Sequence, residues 1–187
     1  MINNISNRQR AVFVGILILA AYSMLTYTIT NNKTLGVITD IISGLAVIGI
    51  PLLMFPFFNA NENRKLNYAY LVSRFMEGIL MLIGGILILN PSLESYRDNI
   101  YSDIHICFFI VGALLFYILL YRSRVIPRFI SIWGVLATII LFIITIIKLF
   151  GVDLSILNAL VLPMILNELF LAFWLIIKGF NFETINE

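Results

Sequence analysis

Long apolar runs at 11–32, 35–58, 66–89, 104–121, 129–147 and 154–177 divide the chain, separated by short polar stretches. The runs are apolar all round and do not alternate with period two, which argues for helices and against the strands of a barrel. At 1.5 Å per residue each covers a hydrocarbon core about 30 Å thick. Lipid offers no partner to an open strand edge, so spanning segments are helical. The pattern therefore predicts an all-α, polytopic membrane protein: one integral membrane domain over 1–187, built as a bundle of six transmembrane helices. A polar start carrying Arg8 and Arg10 before the first run imitates a signal peptide. The uncharged run that follows is too long for such a peptide, so it is read as an uncleaved first span.

Composition strengthens the membrane reading. Of 187 residues 61% are hydrophobic and 12% charged, and the mean hydropathy is +1.02. Soluble domains are near half apolar and a quarter charged, so a water-soluble fold of this length has nowhere to hide such a surface. A net charge of +2 makes no case for a nucleic-acid partner; the lipid bilayer is the expected partner. The single cysteine, Cys107, has no disulfide partner and reads as a small core residue. The abundance of Ile and Asn is associated with AT-rich bacterial genomes, which places the expected location in a bacterial cytoplasmic membrane.

The distribution of charge orients the chain. With both ends inside, Arg8, Arg10, Arg64, Lys65, Arg122, Arg124, Arg128 and Lys178 are cytoplasmic, whereas Lys33, Arg97 and Lys148 are outside. That asymmetry predicts an N-in, C-in topology. Tyr68, Tyr70, Tyr121, Trp133 and Trp174 are expected near the inner boundary, and Tyr27, Tyr96 and Tyr101 near the outer one. Asn90-Pro91-Ser92 ends the third run, and the stretch to Ser102 reads as the longest outer loop, with Glu94, Arg97 and Asp98 as solvated surface. Pro127 suits the first turn of the fifth helix. Pro51, Pro56 and Pro163 lie inside spans and free a carbonyl one turn earlier.

Ionisable residues at membrane depth carry the chemical information. Arg74 and Glu77, three apart, share a face of the third span, about 12 Å and 16 Å from its inner end. Asn167 and Glu168 lie in the sixth span, Glu168 about 15 Å from the same side. A charge at such depth costs about 2.5–3.5 kcal/mol on insertion scales. These side chains are therefore expected to face inward, as one polar cluster of Arg74, Glu77, Asn167 and Glu168 between the third and sixth helices. Three readings stay open. The cluster is a device that fixes helix packing, a cavity for a proton, cation or polar headgroup, or a catalytic pair of carboxylates. If all three charged groups are ionised, one negative charge remains for a proton or cation to neutralise. A shallower set, Asp40, Asp103, His105 and Asn158, reads as interface and helix-start residues. The spacing of Asp103 and His105 argues against a shared metal site.

Three segments carry a family resemblance: Arg74-Phe75-Met76-Glu77-Gly78, Arg122-Ser123-Arg124-Val125-Ile126-Pro127-Arg128, and the block from Asn167-Glu168-Leu169-Phe170 to Lys178-Gly179-Phe180. In this order and spacing the chain resembles the bacterial family catalogued as domain of unknown function 4386. The resemblance covers nearly the whole chain. It implies a small multi-helix membrane protein in which the Arg/Glu pair and the late Glu are family features, with no role attached to them.

Among functions, binding or transport of a small solute, proton or lipid headgroup suits the deep polar cluster and the prolines inside spans best. Six short helices enclose only a small cavity unless the protein forms a homo-oligomer. The alternative is a structural or accessory membrane protein. A third, an intramembrane enzyme using its carboxylates, lacks a converging nucleophile, base and stabiliser. No catalytic, cofactor or metal residues are assigned.

Overall fold

Each apolar run folds into a helix, and the helices close into a ring. The structure is a computed structural model describing residues 5–152 and 154–181, apart from the Ser155 side chain. Of the single domain expected over 1–187, the first four and last six positions and Asp153 thus lie outside the described residues. Six helices are long and apolar enough to cross a membrane: α1 Asn7–Thr30, α2 Lys33–Phe58, α3 Asn61–Leu87, α4 Glu94–Ser123, α5 Arg128–Leu149 and α6 Ile156–Ile177. No strand occurs among the described residues.

Local chemistry sets the ends. Before α1, the Ser6 side chain accepts from the Gln9 amide, and the Gln9 side chain accepts from the Ser6 amide, which satisfies two orphan donors. Asn32 caps α2 in the same manner, through the Leu35 amide. Arg124 stops α4 in a left-handed conformation (φ 54), and Pro127 stands just ahead of Arg128, the first residue of α5. Pro51 lies within α2, Pro56 in the tight 3-10 turn that ends it, and Pro163 in the first turn of the longer part of α6.

Every helix packs on its neighbours in sequence, and α6 returns to α1. At the seam, the Arg8 guanidinium donates to the carbonyls of Leu175, Ile176 and Ile177 at 3.3, 2.7 and 3.0 Å. Those carbonyls end α6 without intrahelical partners, and a cation there also complements the helix dipole. The α2–α3 contact is closest at two glycines. A Cβ at Gly78 would sit 2.7 Å from the Gly44 carbonyl oxygen, and one at Gly44 2.8 Å from that of Gly78. Small residues of this kind let membrane helices approach along their backbones.

The two surfaces of the ring differ as a lipid solvent requires. Large apolar residues such as Ile29, Ile86, Leu149 and Phe150 point outward and are exposed. The interior holds Met54, Phe58, Phe116, Leu120 and Leu171, along with buried polar groups.

Several expectations are corrected. The stretch up to Ser102 is not a solvated loop: α4 starts at Glu94 and runs through a π-helical turn, Ile100–His105. Arg97 is buried, 2% exposed, and grips the fully buried Asp40 of α2 in a two-point ion pair (Nε–Oδ2 2.8 Å, Nη2–Oδ1 3.0 Å). Its guanidinium lies between the rings of Tyr27 and Tyr101, 4.8 and 4.5 Å from their centroids, and it donates to the Met24 carbonyl at 3.3 Å. Asp40 is therefore no interface marker, because its charge is compensated inside the bundle. His105, likewise, is buried in the interior. Tyr70 is fully buried against Phe116 instead of joining the aromatic belt. Cys107 is exposed on the outer surface of the bundle, not in the core.

Arg97 joins α4, α2 and α1, so truncating it strands a buried carboxylate. Arg97→Ala is expected to cost about 3–5 kcal/mol, read as lost thermal stability in detergent. The double replacement Asp40→Asn with Arg97→Met should recover most of that loss.

Candidate functional site in the bundle interior

The inner face of α3 carries Tyr70, Ser73, Arg74, Glu77, Gly78 and Met81, at the three- and four-residue spacings that stack side chains along one face. Ser73 docks this face on α4 by donating to the Phe108 carbonyl at 2.8 Å. Arg74 crosses Gly112 of α4, where a Cβ would lie 3.1 Å from both its Cδ and its Nε. The guanidinium sits near the rings of Tyr70 and Phe109, 5.9 and 5.5 Å from their centroids. Arg74 Nη1 donates to Glu77 Oε2 at 2.7 Å, and both side chains are buried. This pair is contained within one helix.

The other Glu77 oxygen, Oε1, faces α4, where His105 Nε2 lies 3.7 Å away. His105 stacks between Tyr101 and Phe109, with ring centroids 5.0 and 6.5 Å apart. Glu168 stands across the ring on α6. Its Oε2 accepts the Tyr22 hydroxyl of α1 at 2.6 Å, and among the described residues it makes no ion pair within 4.0 Å. Arg74 and the Tyr117 hydroxyl act on it electrostatically from the far side. Arg74 Nε, His105 Nε2 and the Tyr117 hydroxyl are buried without hydrogen-bond partners among the described residues. Such groups are costly in a low-dielectric interior.

The residues singled out from sequence separate into three positions. Arg74 and Glu77 are joined directly. Glu168 faces them through longer-range electrostatics, because α3 and α6 do not pack along one another. Asn167 turns elsewhere: its Nδ2 donates to the Ile130 carbonyl at 3.0 Å and ties α6 to α5. Of the shallower set, Asn158 accepts from Lys148 at 2.8 Å, and Asp103 is exposed. Among the described residues no three His, Cys, Asp or Glu side chains come together as a metal-binding group.

Sequence reasoning missed Tyr22, His105, Gly112 and Tyr117. A usable signal existed for His105. Arg97, Tyr101 and His105 recur every four residues, the spacing of one inward-facing stripe, but the charges around Arg97 suggested a loop and concealed it.

Apart from Arg10, which is buried near the start of α1, the described interior holds Arg74 and Arg97 with three carboxylates, Asp40, Glu77 and Glu168. No curated protein and no solved structure gives a match to the chain. A protein-family model described as a domain of unknown function (DUF4386) matches residues 11–179. The match spans all six helices and both segments that carry Arg74, Glu77 and Glu168, and the chain belongs to that family.

Proposed function

We propose that this is a multi-pass protein of a bacterial cytoplasmic membrane, with both ends inside, whose interior binds or transports a small positively charged solute or a proton at Glu168. The observation that carries this reading is the confinement of the Arg74–Glu77 pair to α3. An ion pair within one helix does not specify which helices pack together. Its guanidinium is also already committed, which leaves Glu168 held by a neutral hydroxyl alone. Among Arg74, Arg97, Asp40, Glu77 and Glu168 one carboxylate is in excess, and that set favours a species bearing one positive charge. The Tyr22 hydroxyl beside it adds a polar oxygen to the site. A cationic lipid headgroup meets the same requirement.

A packing role is favoured for other residues. Arg97 with Asp40 joins α4 to α2, and Asn167 joins α6 to α5. At Glu168 the corresponding contact is its bond to Tyr22 of α1.

Vesicles containing the purified protein, loaded with a pH gradient and challenged with potassium, sodium or methylamine, should dissipate the gradient faster than empty vesicles. Glu168→Gln should lose at least about tenfold of that rate while its melting temperature stays close to wild type. Wild-type flux no greater than that of empty vesicles, or unaltered flux in Glu168→Gln, would refute the reading. Tyr22→Phe removes one hydrogen bond to a charged group, an interaction of about 1.5–3 kcal/mol. The apparent affinity for the cation should change by about tenfold or more in this variant.

A further inference from the structure

His105 is the only histidine in the chain, and the fold takes an irregular step to bury it. The π-helical turn Ile100–His105 ends on this residue. Wider turns of this kind re-aim side chains and recur at functional sites. The imidazole is 4% exposed, and its Nε2 has no hydrogen-bond partner among the described residues. That nitrogen is directed at Glu77 Oε1, 3.7 Å away. Glu77 Oε2 is occupied by Arg74. One carboxylate thus holds a guanidinium on one oxygen and keeps the other towards an imidazole.

We propose that His105 and Glu77 bind a proton as a pair, and that this proton neutralises the interior in competition with a cation at Glu168. The proton enters from water and adds to the unprotonated nitrogen of the imidazole. Nε2–H then donates to Glu77 Oε1, and no covalent bond other than N–H forms or breaks. The charge of the set Arg74, Arg97, Asp40, Glu77 and Glu168 with His105 rises by one, the same change that binding one monovalent cation produces. Glu77, now shared with an imidazolium, holds Arg74 less strongly, and Arg74 acts more strongly on Glu168. Proton and cation are therefore alternative occupants. The competition rests on the cation site proposed above; the proton pair stands on its own geometry.

Every element around the imidazole supplies a group that acts on it. From α3 these are Arg74 and Glu77, from α2 Asp40, and from α4 itself Arg97 and Tyr101. Farther across the ring lie Glu168 of α6, Tyr22 of α1, and Tyr70 and Tyr117. The stretch of α5 within the ring presents Ser131 and Thr138, which do not titrate. Arg97, Tyr101 and His105 recur along one face of α4, and its Glu94 end borders an open cleft of about 410 Å³ that Tyr27, Glu94 and Asp98 line.

A lone histidine makes the test clean, because ¹⁵N-histidine labelling reports a single site. In detergent micelles the wild-type imidazole should pass from neutral to imidazolium as the pH is lowered from about 9 to about 3. Glu77→Gln should weaken proton binding at His105 about tenfold or more, by removing the adjacent negative charge. Glu77→Asp, which retains the charge but draws it back, should fall between the two and serves if the glutamine variant does not fold. An imidazole that stays neutral throughout overturns the proposal. So does proton affinity unchanged within about twofold in both variants. The titration requires no transported species. A coupled titration with inert vesicles sinks the cation site alone, whereas an uncoupled titration with active vesicles sinks the proton pair alone.

Discussion

Hydrocarbon gives a charge nothing to bind, so each ionisable side chain in a membrane bundle must be answered by protein or moved to the edge. The arrangement of this protein follows from how its guanidinium groups are answered. Arg97 is met by a carboxylate from a different helix, and two aromatic rings close over it. Because its partners lie on α1 and α2, α4 can begin well before its apolar run and still bury Arg97. Arg74 is met by a carboxylate on its own helix. It therefore reaches the interior with no ion pair to another helix, although it lies across Gly112 and Phe109 of α4.

That difference divides the labour between two halves of the molecule. At the Glu94 end, charge fixes the packing of three helices. Deeper in the bundle, packing is left to close backbone contacts such as Gly44 against Gly78 and to the rings of Phe58, Tyr70 and Phe116. The charges there are thus not needed to hold the helices together. This makes Glu168, with only a tyrosine hydroxyl as its close partner, stand apart from the rest. A half-buried carboxylate left in this state costs stability.

Irregular backbone accompanies the same residues. The 3-10 turn Tyr22–Met24 interrupts α1 where Tyr22 reaches Glu168, and the π turn of α4 delivers His105 to Glu77. Regular helices repeat their side chains at fixed angles. A local change of pitch is a way to bring a chosen side chain onto a partner that regular geometry would miss.

Much of the architecture was legible in the chain. Run length and hydropathy specify six spanning helices, because the thickness of a bilayer sets the length and its dryness requires the helix. The depth and shared face of Arg74 and Glu77 follow from helical period alone. The start of α4 was not legible, because Arg97, set between Glu94 and the exposed Asp98, looks like solvated surface until Asp40 is known to stand beside it. Nor was the partner of each deep charge. Sequence places Glu168 at the depth of Arg74, but depth leaves the rotation of α6 about its axis and its place in the ring undetermined. The tertiary structure decides both: it turns Asn167 to α5, Glu168 to Tyr22 and His105 to Glu77. Hydrophobicity is a property of each segment by itself, whereas the pairing of charges depends on which helices become neighbours.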